Sequence, residues 1–573
     1  FDKLRKEDVY EMLFSIEPMP KYMIITDSIK EEDAPNIIKP EAGKHYETLG
    51  ILDNGVASIP QLSPWMAEER WTTYPEQAIN PSHGTSVAGV ALYGDMLEKQ
   101  DWIGHKGIRI FDATIFPNTD KENLDEDELI ANIQEAITAN QDKIKVWNLS
   151  ISIDRPISDT RFSDFAVALD ALQEKYNVLI CKSAGNCCNF LHGLSKGRIV
   201  EGADSVRSLV VGSMAHRKGI SDFANIDNPS PFSRVGPGPE FIIKPEISHY
   251  GGNAGLNSNG KPTVSGIKTF SSDGKVISES GTSFSTPRAA SLATGLFQEI
   301  NEPFDPLLIK GLIIQSAAYS RNLLVPEKER TKYLGFGVPK SIPNILYNDS
   351  FEATLILRDT ISKGEYIDIM DFPMPKSLIR NGFYTGQIIA TLVYDPILDP
   401  TQGAEYCQSN IDIKFGSYDE KIERDISRRS ILNPVGRQGA QNLFRDGLYS
   451  KRLMRNNQND FALRERMLIQ YDDKYYPVKK YAIDLSELSE SNKQSYTTAN
   501  KKWYLCIKGL FRNYIEQRAL EEHFTPKQEM CLIITIRDPE HKSNIYDEVT
   551  QDLDAYNFWH SNIQITSDIS VSI

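Results

Sequence analysis

At 573 residues, with a net charge of −15, 40% hydrophobic and 25% charged residues, the chain exceeds one hydrophobic core and has an ordinary globular composition, so two or three domains are expected. The acidic balance argues against non-specific nucleic-acid binding by the whole chain, and no run of about 18 apolar residues is present to cross a membrane as a helix. Six cysteines, with Cys187 and Cys188 adjacent and none in a CxxC spacing, make neither a disulfide framework nor a zinc or thioredoxin-like motif, so reduced thiols in a cytoplasmic compartment are the expectation.

Residues 1–45 read as an N-terminal extension. Its start, FDKLRKEDVYEMLF, is charged and lacks the apolar stretch of a secretory signal peptide. Val9, Met12, Leu13 and Ile16 fall at helical spacing, and Tyr22 to Ile25 form a short apolar run before a charged, proline-containing loop from Lys30 to Lys44. Over residues 46–345 short apolar strands (Thr48–Leu52, Val146–Ser150, Val178–Lys182, Ser208–Gly212) alternate with amphipathic stretches. That alternation predicts an α/β domain, a parallel sheet with helices on both faces, whose functional residues gather at the carboxyl ends of the strands. From 346 to 573 the period changes to two: Ile411, Ile413 and Phe415 alternate with Asp412 and Lys414, and Ile563, Ile565, Val571 and Ile573 repeat the pattern. With Cys531 to Ile536 as a buried strand, this part predicts a mostly antiparallel β-sandwich. Between its strands, Lys421 to Met467 reads as a basic insertion; Lys421 to Arg466 holds eleven Lys/Arg against five Asp/Glu. A solvated or partly disordered segment is the expectation there, ahead of a docking surface for an acidic partner.

Four short motifs carry chemistry. Ser283 lies in GTSFSTP, just before an apolar helical run from Ala289 to Ile300. A helix N-terminus there offers unpaired N–H groups and a positive dipole end to an oxyanion. His83 opens another helical stretch in HGTSVAG, flanked by Gly84 and Gly89 for close packing, and histidine suits a general base at neutral pH. Asp53 ends an apolar strand in TLGILDNGV, where a carboxylate can orient an imidazole. Asn186, in KSAGN, follows another strand, and its amide can donate to a developing oxyanion. Taken singly, each has an ordinary reading: a serine N-cap, a surface histidine, an aspartate opening a turn, a turn asparagine.

In the order Asp, His, Asn, Ser, the four motifs are similar to those of the subtilisin-like (S8) peptidase family, over about residues 46–340. PFSRVGPGPEFIIKPEI (Pro231 to Ile247) resembles the family's segment upstream of the serine, and GFGVP (Gly335 to Pro339) its closing motif. The resemblance implies a serine endopeptidase with Ser283 as nucleophile, His83 as general base and acid, and Asp53 as orienting carboxylate. Asn186 and the Ser283 N–H would form the oxyanion hole. It also implies a substrate strand from Asn148 through Leu149, Ser150 and Ile151 to Ser152, with Ser183, Ala184 and Gly185 lining the other side of the P1 pocket.

Three departures stand out: Asn54 after the aspartate, Ser152 where the family commonly has glycine, and Cys187 and Cys188 directly after the oxyanion asparagine. The chemistry needs no cofactor. Members of the family often bind calcium, and structural calcium stays unassigned: the acidic run Asp120 to Glu128 matches no loop signature and reads as a solvated helix face. By the resemblance, residues 1–45 are either a packing extension or a propeptide remnant, the former preferred on length. Protein or peptide substrates are the expected partners. A regulatory partner, an AAA-type ATPase among them, comes from the resemblance to intracellular subtilases with a β-rich tail. The rival reading is a catalytically silent pseudo-protease that uses its cleft only to bind peptide.

Overall fold

The computed structural model describes residues 36–118, 124–151, 155–347, 349–370, 372–419, 442–471 and 474–555. The helix and strand expected between Val9 and Ile25, and the alternating run Ile563 to Ile573, lie outside the described residues.

Short runs rich in Val, Ile and Leu, buried on both faces, read as parallel-sheet strands, and seven of them form one sheet. These are β1 (Thr48–Asp53), β2 (Trp71–Thr72), β3 (Arg109–Thr114), β4 (Val146–Leu149), β5 (Leu179–Ser183), β6 (Leu209–Met214) and β7 (Ile247–Tyr250). Their order is β2-β3-β1-β4-β5-β6-β7, and every pairing is parallel. The four strands named from sequence are β1, β4, β5 and β6, displaced by no more than two residues at an end.

Alternate strand residues serve two layers. Leu49, Ile51, Leu209 and Val211 pack with Val87 of α1 (Ser82–Glu98) on one face. Leu52, Trp147 and Ile180 pack on the other face with Ile133 of α2 (Glu126–Asn140) and Phe165 and Leu169 of α3 (Asp164–Tyr176). Asp125 caps α2, accepting from the Glu128 N–H at 2.8 Å, and Glu126, Asp127 and Glu128 occupy the first turn, where the helix dipole favours acids. The described end of the acidic run is therefore a helix start.

Two hairpins follow the sheet: β8 (Asn253–Leu256) with β9 (Pro262–Ser265), and β10 (Ile267–Phe270) with β11 (Val276–Glu279). α4 (Thr282–Glu299) then runs back beneath the sheet, with Leu292, Ala293 and Leu296 in the same core as α1. α5 (Pro306–Ser316) follows, and two short helices, Arg330–Leu334 and Ile342–Leu346, complete this part.

The remaining strands are antiparallel throughout. In chain order they are β12 (Glu352–Ser362), β13 (Tyr366–Met370), the two-residue strands β14 (Ile379–Arg380) and β15 (Phe383–Tyr384), β16 (Gln387–Tyr394), β17 (Ser409–Tyr418), β18 (Val478–Asp484), β19 (Lys502–Phe511) and β20 (Lys527–Arg537). One sheet has the order β12-β20-β16-β18 and a second β13-β19-β17. The period of two sorts their side chains. Ile388, Ala390, Leu392, Leu532 and Ile534 face Ile411, Ile413, Phe415, Leu505 and Ile507 of the second sheet. Ile389, Val393, Cys531 and Ile533 face away from it, into the core that holds α5. Lys480 fixes that junction: its buried Nζ donates to the carbonyls of Ile314 (2.8 Å), Gln315 (3.0 Å) and Ala317 (2.7 Å) at the end of α5.

The basic stretch departs from its expected character over residues 442–467, while 420–441 lie outside the described residues. Leu443, Phe444, Tyr449, Phe461 and Met467 are buried, and the Phe444 ring stacks on Tyr481 at 4.4 Å between centroids. Apolar residues spaced among the arginines make this segment part of the core. Among the described residues no helix is long and apolar enough to cross a membrane.

Gly50 in the middle of β1 leaves the space that the Trp147 ring fills; a Cβ there would lie inside the ring. Gly50→Ala is therefore expected to lower the unfolding free energy by about 1–3 kcal/mol through overpacking, read by denaturant unfolding against the wild type.

Candidate active site

The site begins with Asp53, the last residue of β1, which has no exposed surface. A buried carboxylate needs partners, and it has two. The Asn54 N–H donates to Oδ1 at 2.8 Å, and Nδ1 of His83 lies 2.9 Å from both Oδ1 and Oδ2. Nδ1–H is thus the donor, and Nε2 is left as the base nitrogen.

His83 reaches Asp53 because α1 starts unusually close to the turn after β1. A Cβ on Gly84 would run into the Gly55 carbonyl, so only glycine lets the helix approach. The Asn54 side chain closes the same gap, its Oδ1 accepting from the Gly84 N–H at 3.0 Å and satisfying an otherwise orphan helix N–H. Burial alone would lower the His83 pKa. The Asp53 carboxylate, by charge and hydrogen bond, and then Glu279 outweigh that effect and raise it above its ordinary value.

Ser283 is the second residue of α4, half-buried. Its Oγ donates to the Ser150 carbonyl at 2.9 Å, Ser150 Oγ donates to the Ser283 carbonyl at 3.1 Å, and Asn148 Nδ2 donates to Ser150 Oγ at 2.9 Å. These bonds staple the end of β4 to the start of α4. Among the described residues, none joins Ser283 to His83. The two helix starts are nonetheless neighbours, with the Phe284 and His83 rings 5.8 Å apart. Deeper in, fully buried Arg288 of α4 holds α1: its Nη1 lies 3.5 Å from Asp95, and its guanidinium stacks 4.6 Å from the Trp102 ring.

Asn186 faces this helix start. Its Oδ1 accepts from the Thr282 N–H at 2.9 Å and from Thr282 Oγ1 at 3.1 Å, which fixes the amide plane. Nδ2 is turned toward Gly281, so that a Cβ there would sit 3.2 Å from it. The same hypothetical Cβ would sit 3.6 Å from the Ser283 backbone nitrogen, so Asn186 Nδ2 and the Ser283 N–H both border Gly281 at the start of α4.

The expected substrate-binding segments are only partly free. Asn148 and Leu149 pair with β1 on one side and β5 on the other, so their backbone groups are already used. Ser183 pairs with Val211 of β6. The Ala184 N–H donates to the Val211 carbonyl at 3.0 Å, and the Gly185 carbonyl accepts from the Arg234 N–H at 3.1 Å. Backbone groups inside a parallel sheet are already paired and offer no edge to a further strand. Ser150 and Ile151 lie beyond the last rung of β4, and Ser152 lies outside the described residues. Lys182, buried at the end of β5, donates to the Ile151 carbonyl at 2.7 Å and the Ser183 carbonyl at 3.0 Å, tying the two walls together. Burial pushes its pKa down to about 7.

Cys187 is buried and accepts from the Gly197 N–H at 3.4 Å, whereas Cys188 is exposed. No group of three or more His, Cys, Asp or Glu among the described residues is arranged to hold a metal. Sequence reasoning missed Glu279, an acid closing β11 four residues before Ser283. Its signal was a carboxylate at the end of the alternating strand VISE, immediately ahead of the serine motif.

The family model described as the subtilase family, Peptidase S8, matches residues 45–339, and the chain belongs to that family. It is 25% identical over 311 residues to the uncharacterized protein y4bN of Sinorhizobium fredii, a match covering 46% of this chain and 70% of that protein. Among solved structures it is similar to a cold adapted subtilisin-like serine proteinase, with 19% identity, 52% of this chain and 87% of that chain covered, and a TM-score of 0.34. It is also similar to the epidermin leader peptide processing serine protease EpiP from Staphylococcus aureus, with 17% identity, 52% and 74% covered, and a TM-score of 0.37. The patellamide maturation protease PatA gives 19% identity, 53% and 98% covered, and a TM-score of 0.36.

The raised His83 pKa has a defined sign. A histidine held above its ordinary value is protonated at neutral pH more readily than a free one, so the neutral base form prevails only above the raised pKa. Asp53→Asn removes the largest raising influence and the acceptor that selects the tautomer. It is expected to move the His83 titration to lower pH and to cut kcat by about 10⁴, as read from pH–rate profiles.

Proposed function

We propose that this chain is a serine endopeptidase that hydrolyses peptide bonds in protein or peptide substrates through an acyl-enzyme on Ser283. The observation that carries this reading is the pairing of His83 Nδ1 with both oxygens of buried Asp53, which leaves Nε2 ready to take a proton beside the start of α4. Rotation of the Ser283 side chain about χ1 moves its hydroxyl from the Ser150 carbonyl toward Nε2; contacts of this kind commonly tighten only with substrate bound. As Oγ attacks the scissile carbonyl, its proton passes to Nε2 and the oxyanion takes the Ser283 N–H and Asn186 Nδ2. The imidazolium then protonates the leaving amine, and water releases the acyl group by the reverse roles. Substrate binding adds a strand along the segment from Ser150 through Ile151, with Ser183 to Gly185 lining the other side of the P1 pocket.

The six cysteines, none in a CxxC spacing, are read as reduced thiols in a cytoplasmic setting. In such a setting the reading includes restraint by a protein partner, with an AAA-type ATPase as the class the resemblance suggests. The chemistry calls for no cofactor, and any calcium would serve structure.

One observation favours a second reading, a catalytically silent peptide-binding protein: the Ser283 hydroxyl is engaged by the Ser150 carbonyl. A fluorophosphonate serine-hydrolase probe separates the two. Labelling of the wild type that disappears in both Ser283→Ala and His83→Ala is the protease outcome; a wild type silent with and without candidate partners is the binding outcome. Within the protease outcome, Asn186→Ala is expected to lower kcat by about 10²–10³ with little change in KM, the range known for the equivalent donor of subtilisin.

A further inference from the structure

Glu279 ends β11 only 5% exposed, and its Oε2 is buried without a hydrogen-bond partner. Among the described residues no lysine or arginine forms an ion pair with it. A buried carboxylate in that condition is costly, and it lies in the segment that leads through Ser280 and Gly281 into the nucleophile's helix. The hairpin is clamped to the helix that carries His83: Ser86 Oγ donates to the Phe270 carbonyl at 3.1 Å, and Thr269 Oγ1 donates to the Ser86 carbonyl at 2.5 Å. Within the hairpin Ile267 pairs with Glu279, and Gly266 packs so tightly on the Glu279 backbone that a Cβ would collide with it. The strand end is therefore held in place against α1.

Among the described residues, the charges that raise the His83 pKa are those of Asp53 from β1 and Glu279 from β11, and His83 in turn lowers that of Glu279. We infer that Glu279 is a positioning residue of the reaction, a second carboxylate held unpaired for the imidazolium that forms on His83. This rests on the reading of His83 as the general base. Above the raised His83 pKa the imidazole is neutral and the Glu279 charge is poorly compensated. When the Ser283 proton arrives at Nε2, the new positive charge offsets it, so the interaction is stronger in the tetrahedral intermediate than in the ground state. Burial lifts Glu279 to about 7, with His83 opposing the rise, so the carboxylate is ionised over the range above neutrality where the base works. An ionised Glu279 favours protonated His83; its removal therefore lowers the His83 pKa.

The test titrates His83 by NMR in the full chain with labelled histidine, His83→Ala supplying the assignment, and follows fluorophosphonate labelling rates over the same pH range. Glu279→Gln is expected to move the His83 midpoint down by at least about half a pH unit and to slow labelling above neutrality about three- to tenfold. Glu279→Asp, which keeps the charge, should retain most of both. A His83 midpoint unmoved by Glu279→Gln overturns the inference, as does equal slowing in the Gln and Asp variants with His83 unmoved. Should Glu279→Gln fail to fold, the reciprocal coupling is read in His83→Gln, where the Glu279 carboxyl midpoint must rise; an unmoved midpoint overturns the inference. A His83 that shifts in a protein that never labels leaves the coupling standing and refutes the protease reading instead.

Discussion

A carboxyl group with no exposed surface closes β1, and the rest of the site follows from supplying its hydrogen bonds there. Asp53 is tolerated because the Asn54 N–H and the His83 imidazole supply its hydrogen bonds. The imidazole can do so only because Gly84 lets α1 touch the turn at Gly55. Once α1 is fixed, Arg288 ties α4 to it through Asp95 and Trp102, and the start of α4 brings Ser283 and Thr282 against Asn186. Both helices begin at the carboxyl ends of parallel strands, where helix N-termini and strand ends converge in folds of this type.

That convergence was legible in the sequence where the signal was local. An apolar run ending in Asp53, a glycine beside His83 and a helical run after Ser283 each encode their own backbone, and the strand ends came out within two residues. Features set by other parts of the chain were not legible. Nothing in NLS tells that Asn148 and Leu149 pair on both edges, or that the Ser150 carbonyl takes the Ser283 hydroxyl. Phe444 and Phe461 were hidden in an arginine-rich background, because a short segment enters a core through a few anchors rather than through a period. Glu279 was visible as an acid ahead of the serine motif, but its place against α1 was not, since that comes from a hairpin folded back onto the helix.

The antiparallel sheet is more than an appendage to the catalytic fold. Its β16 and β20 have two buried faces: Ile388 and Leu532 complete the sandwich, while Ile389 and Ile533 complete the core that contains α5 and Leu292 and Leu296 of α4. Lys480 adds the polar link by capping α5.

The most direct measurement is a crystal structure of the protein after reaction with a fluorophosphonate. The account expects the phosphorus on Ser283 Oγ, the hydroxyl's bond to the Ser150 carbonyl gone, and a phosphonyl oxygen accepting from both Asn186 Nδ2 and the Ser283 N–H, with His83 Nδ1 still on Asp53. An adduct whose phosphonyl oxygen points away from Asn186, or a Ser283 left unmodified on the Ser150 carbonyl, would contradict it.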